Sequence, residues 1–211
     1  MTEIIQIDPK HPLPEAIEKA VSYLRDGQVV AYPTETIYGL GADVQDKKAV
    51  KRIYDLKARD YGLPISILVS NLSMLREVVS EVPDRALTLM RKFWPGALTI
   101  LFPASSIIPK GLVTNTGKVG IRISSHPVAS ALVEAFGRPM TTTSANLSGF
   151  PPSLAVKHVQ KYFGDKLLCI IDGGEVEPSR GSTVVDIGED TMRIIRDGAI
   201  PADEVIQCFR G

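Results

Sequence analysis

Several strand-like apolar runs in this sequence follow one another with no helical pattern between them. Ala97-Leu-Thr-Ile-Leu-Phe102 leads to Val119-Gly-Ile-Arg-Ile123, and the run 167–171 leads to 182–186 and then 192–196. A parallel neighbour needs a long crossover, usually a helix, so a sheet holding such runs must contain antiparallel pairs. Elsewhere the two periodicities alternate. Amphipathic helices are predicted over 13–26, 47–57, 72–79, 84–93, 127–136 and 153–162, and further strands over 28–32, 65–69 and 139–143. This pattern predicts an α/β fold, a mixed twisted sheet with flanking helices. No internal repeat, low-complexity tract or linker interrupts the pattern, which predicts one domain over 1–211.

Net charge is zero, with 24 basic and 24 acidic residues, yet none of the acids falls between Asp84 and Glu134. That interval carries Arg85, Arg91, Lys92, Lys110, Lys118 and Arg122, which predicts a positive concavity; chance clustering is the alternative. A neutral chain is a poor general nucleic-acid binder, so the expected partner is a compact anion such as a nucleotide. The two cysteines, Cys169 and Cys208, have no CxxC spacing. The opening MTEIIQIDPKHP lacks a secretory pattern, and no stretch reaches the length of a membrane span. A cytoplasmic protein without membrane contact is expected.

The familiar catalytic signatures are missing. There is no GxxxxGK[ST], Gly39-Leu-Gly41 lacks the third glycine of a dinucleotide fingerprint, and no GxSxG, HExxH or Cys/His pairing occurs. What remains is Lys, Arg, Ser, Thr and Asn at predicted strand ends. That vocabulary suits phosphoryl or nucleotidyl transfer, where positioning and charge neutralisation replace a histidine base. Tyr32-Pro-Thr-Glu-Thr-Ile-Tyr-Gly-Leu-Gly41 follows a strand as a glycine-bearing loop; it offers hydroxyls and a carboxylate to a ligand, or to its own turn. In Lys57-Ala-Arg59, Lys57 continues the apolar face of Val50, Ile53 and Tyr54, where a lysine meets an anion, snorkels out or offsets the helix dipole. Thr141-Thr-Thr-Ser-Ala-Asn-Leu-Ser-Gly149 fits a phosphate site or capping duty. Arg122 inside a strand, Ser182 opening one and Arg196 closing one complete the candidates.

In combination, YPTETIYGLG, KAR, VGIRI, TSANLSG, DGG…GSTVVD and IIRDGAI resemble the YrdC-like family of threonylcarbamoyl-AMP synthases, from about residue 10 to 205. The resemblance implies the single-domain form of that family and a sheet enclosing a positively charged cavity. It also implies a nucleotidyltransferase that converts ATP, L-threonine and bicarbonate into threonylcarbamoyl-AMP and pyrophosphate, for threonylcarbamoyladenosine formation in tRNA. By position, Lys57 and Arg59 match the catalytic KxR pair; these two with Ser144, Asn146 and Arg196 match nucleotide contacts. Thr36, Arg122 and Ser182 match threonine contacts. Mg²⁺ arrives on ATP, with no direct protein ligand. Protein partners of the tRNA threonylcarbamoylation pathway are implied too. A YciO-like paralogue with weak or altered synthase activity is the alternative, and a non-catalytic module for double-stranded RNA or tRNA is another.

All eight site residues are expected to line one cavity. The stretch RDYGLPISILV departs from the family pattern: Leu63 stands where an Asn precedes the proline, and Leu68 where a His follows it. Lys118 replaces a common threonine. The departures predict an apolar wall in the amino-acid pocket, and hence that Leu68→His improves threonine binding.

Overall fold

The computed structural model describes residues 1–61, 63–188 and 191–211. In chain order its elements are β1 (Glu3–Gln6), α1 (Pro14–Arg25), β2 (Val30–Tyr32), β3 (Gly39–Gly41), α2 (Lys47–Lys57), β4 (Ser66–Leu68), α3 (Leu72–Val78), α4 (Asp84–Phe93) and β5 (Leu98–Pro103). There follow β6 (Lys118–Arg122), α5 (Pro127–Phe136), β7 (Met140–Ser144), α6 (Val156–Phe163), β8 (Cys169–Asp172), β9 (Thr183–Ile187), β10 (Met192–Arg196) and α7 (Ala202–Arg210).

Local chemistry accounts for the helix bounds. Asp46 caps α2 by accepting from the amides of Lys48 and Ala49, and Asn71 caps α3 through the Met74 amide. Pro127 opens α5, and Gly137, at φ 71°, closes it in the left-handed conformation. Each of these helices buries one stripe in the core, such as Val50, Ile53 and Tyr54 of α2.

The strands form one ten-stranded sheet in the order β1-β8-β2-β3-β7-β4-β6-β5-β9-β10. The strand pairs β1/β8, β2/β8, β4/β6 and β5/β9 are parallel, while β2/β3, β3/β7, β4/β7, β5/β6 and β9/β10 are antiparallel. The mixed sheet expected from the run order is what forms. β7 lies at its middle: Met140, Thr141 and Thr142 register with β4, and Thr143 and Ser144 with β3. Its carboxyl end therefore opens where the two halves of the sheet part.

Three elements differ from expectation. The segment expected as a glycine-bearing loop ends in strand β3, because Gly39 and Gly41 let it lie over the Tyr32 ring of β2. Strand β1 and helix α7 were not expected at all. They cover the sheet margins, α7 packing on α4 and β1 on β8.

Candidate active site

A cavity of about 410 Å³ opens at the centre of the sheet, in the size range of small-ligand sites. Thr36, Arg59, Arg122, Ser144, Asn146, Ser182 and Arg196 all line it, with Thr99 and Arg180. Seven of the eight expected residues thus meet there, from the β2–β3 connection to β10. The eighth, Lys57, does not.

Lys57 lies behind the cavity wall, only 2% exposed. Its Nζ donates to Ser144 O at 2.5 Å and Asn146 O at 2.8 Å, with longer approaches to Asn146 Oδ1 at 3.4 Å and Ser144 Oγ at 3.5 Å. The ammonium therefore ties down the turn that presents Ser144 and Asn146. Burial, and secondarily the Arg59 charge, pull its pKa down to about 8. Asn146 Nδ2 in turn donates to Phe150 O at 2.5 Å, closing the turn.

Arg59 reaches the cavity because the helix ends between the two cations. Ala58 takes a left-handed conformation, φ 46°, uncommon for a residue with a Cβ. That kink redirects Arg59 away from the line of α2, and its guanidinium donates to Leu63 O and Pro64 O. The carbonyl of Leu63, not its side chain, is what serves the site.

The opposite wall is built on β6, β9 and β10. Arg122 Nε donates to Gly96 O at 3.1 Å, and Nη2 reaches Thr36 Oγ1 at 3.3 Å and Glu35 Oε2 at 2.8 Å. Thr34 Oγ1 accepts from the amides of Thr36 and Ile37, so one threonine builds the turn while the other faces Arg122. Arg196 donates to Ser182 O and Ser182 Oγ, and Ser182 Oγ shares a 2.8 Å hydrogen bond with Thr99. Burial, then the Arg122 charge, lower the Arg196 pKa. Two neighbouring guanidinium groups that repel one another on a cavity wall favour an anion beside them. Gly198 makes this wall possible: a Cβ there would lie 2.4 Å from the Ser182 carbonyl carbon.

The cations of the acid-free interval do not all converge on the cavity. Of its six cations, Arg122 lines the cavity, whereas Lys118 pairs with Asp186 at 2.5 Å, Lys92 with Glu204 at 3.5 Å, and Arg85 stacks on Phe209. The two leucines do not form an apolar wall of the cavity. Leu68 is 1% exposed and packs in the core, Leu63 is 47% exposed, and Pro64, Ile65 and Ser66 line the cavity instead. A histidine at 68 would enter packed core, so the basis for expecting tighter threonine binding from it is gone. Arg180 is a lining residue without an expected role, and the Glu35 carboxylate, expected to serve a ligand or its own turn, instead pairs with Arg122. Glu35 was visible in YPTETIYGLG, but its partners lie about 90 residues away. Among the described residues, no group of three or more His, Cys, Asp or Glu is arranged to hold a metal ion.

Comparison with known proteins places the family and the fold. The Sua5/YciO/YrdC family, described as Telomere recombination, matches residues 22–198. The threonylcarbamoyl-AMP synthase of Pyrococcus abyssi is 39% identical over 189 residues, covering 90% of this chain and 56% of that protein. The crystal structure of P. abyssi Sua5 complexed with L-threonine superposes with a TM-score of 0.93 at 36% identity, over 98% of this chain and 61% of that one. Escherichia coli YciO superposes with a TM-score of 0.87 at 29% identity, over 97% and 99%. The chain spans little more than half the length of the first curated relatives it matches.

Proposed function

The chain belongs to the Sua5/YciO/YrdC family, and on that premise we propose that it is a threonylcarbamoyl-AMP synthase acting on ATP, L-threonine and bicarbonate. One observation carries the reading. A single cavity presents two cationic walls, Arg59 beside Ser144 and Asn146 on one side, Arg122 beside Arg196 on the other. Such a site suits two anionic reactants held face to face.

Threonine's amine adds to carbon dioxide derived from bicarbonate and becomes a carbamate. A carbamate oxygen attacks the α-phosphorus of ATP, the bond from that phosphorus to the bridging oxygen breaks, and pyrophosphate leaves. Arg59, Ser144, Asn146 and Arg196 hold the nucleotide, while Thr36, Arg122 and Ser182 hold threonine. Mg²⁺ enters with ATP as part of the substrate and offsets phosphate charge. Holding both reactants in line can supply roughly 7–11 kcal/mol of the barrier in well-oriented cases. Lys57 acts by fixing the Ser144–Asn146 turn. The product serves threonylcarbamoyl transfer to tRNA in the cytoplasm, with the proteins of that pathway as partners.

Pyrophosphate release that requires ATP, threonine and bicarbonate together is the expected result. Release independent of threonine, or none, would overturn the reading. The match to YciO over 99% of its length supports a second reading, a paralogue with altered synthase activity. Release with another amino acid and not with threonine would favour it.

A further inference from the structure

We propose that Glu35 is a positioning residue that aims Arg122 at the substrate carboxylate, an inference resting on the threonine role assigned above to Arg122. Glu35 lies between Thr34 and Thr36 of the cavity lining, its side chain 17% exposed. Each of its oxygens is engaged. Oε2 accepts from Arg122 Nη2 at 2.8 Å and from Ser124 Oγ at 2.5 Å, and Oε1 accepts from the Ser125 amide at 3.1 Å. Ser124 Oγ also accepts from the His126 amide, at the start of α5. The carboxylate therefore joins the cavity wall to the β6–α5 turn. Burial by itself would raise the Glu35 pKa; the Arg122 charge and the hydrogen bonds from Ser124, Arg122 and Ser125 outweigh it and lower the value.

The consequence lies in the guanidinium. Its Nε is held by Gly96 O, and its Nη2 by Glu35 and Thr36. Among the described residues, Nη1 makes no hydrogen bond to protein, so the guanidinium is held through two of its nitrogens and offers the Nη1 donors to a ligand. A charged donor whose direction is fixed in this way meets a carboxylate oxygen at a set place. The opposing view is that Glu35 only neutralises Arg122. The two views differ in sign. If Glu35 neutralises, removing its charge strengthens the attraction of Arg122 for an anion; if it positions, removing it weakens binding.

The test compares wild type, Glu35→Gln and Ser124→Ala in the pyrophosphate assay and in calorimetric titration with L-threonine. A misplacement of about 1 Å can cost about a hundredfold. Glu35→Gln is therefore expected to raise the KM and Kd for threonine roughly 10- to 100-fold, with the KM for ATP changed less than about twofold. Ser124→Ala, which keeps the charge and removes one anchor, is expected to fall between; it remains informative if Glu35→Gln does not fold. Tighter threonine binding in Glu35→Gln, or equal changes in both KM values, would overturn the inference. A wild type that binds threonine more tightly than the variants but releases no pyrophosphate would keep the positioning role and refute the proposed reaction. No threonine binding by wild type would refute both.

Discussion

The two cationic walls of the cavity are built in opposite ways. At the α2–β7 wall, the most buried cation is consumed by the protein itself: Lys57 donates to the carbonyls of Ser144 and Asn146, and only Arg59 beyond the kink faces the cavity. At the β6–β10 wall, protein acceptors steady Arg122 and Arg196, yet both still line the open space. A compact ammonium can be enclosed by a few oxygens. A planar guanidinium with five donors is steadied along some edges while it presents another. The KxR pair therefore splits into a structural cation and an exposed one, while the arginine pair keeps both in the site.

Six substitutions can break or sharpen that contrast. Arg122→Ala is expected to have the largest effect. It leaves the Glu35 carboxylate buried without its counter-ion, a change that costs about 3–5 kcal/mol in comparable buried pairs, and it removes turnover. Urea unfolding with the pyrophosphate assay reads both, and a variant as stable as wild type would show that Glu35 needs no partner.

Lys57→Ala comes next. It opens a cavity and strands two carbonyls, for an expected loss of about 2–4 kcal/mol, whereas Arg59→Ala should lose activity at nearly unchanged stability. Equal stability losses for the two variants would erase the distinction. Lys57 also predicts a pH dependence. Its folded pKa of about 8 lies below the ordinary value of 10.5, so between these values the unfolded chain binds more protons. Stability should therefore rise with pH across that window, by up to about 3 kcal/mol, and the rise should be missing in Lys57→Met. Urea midpoints of both proteins at about pH 7.5 and 9.5 provide the check.

Gly198→Ala tests the second wall, since the new Cβ would press on the Ser182 backbone. A loss of about 1–3 kcal/mol is expected, with weaker threonine binding. Thermal melts and calorimetry would show it, and unaltered binding would mean that Ser182 is not held by this contact. Ala58→Gly has the smallest effect. Relief of the left-handed strain against greater unfolded-state entropy leaves a gain of at most about 1 kcal/mol, and denaturant melts able to resolve it would also exclude a loss.

Helices were the most legible part of the chain. α2, α4 and α5 begin and end where caps, proline and the apolar stripe indicated, because those signals act within a turn or two. β3 was hidden because Gly-Leu-Gly has no strand preference and becomes a strand only through β2 and β7. β1 was hidden because four residues with one buried side chain make no pattern, and their partner β8 lies some 166 positions away. In the site, side-chain type pointed to Arg59, Arg122, Ser144 and Arg196. The spread of acids along the chain misled, since Lys118, Lys92 and Arg85 find partners on β9 and α7. Leu68 misled because a place in a motif says nothing about depth.

The sequence by itself determined the periodicities, the caps, the mixed order of strands and the set of cations and hydroxyls available for nucleotide chemistry. These rest on contacts between near neighbours along the chain. Only the tertiary structure decided that Lys57 faces inward while Arg59 faces the cavity, and that Glu35 pairs with Arg122. The Lys57 ammonium meets oxygens 87 and 89 positions away, and the Glu35 carboxylate meets Arg122, Ser124 and Ser125 87–90 positions away, partners brought within 2.5–3.1 Å by the central placement of β7 and the β6–α5 turn.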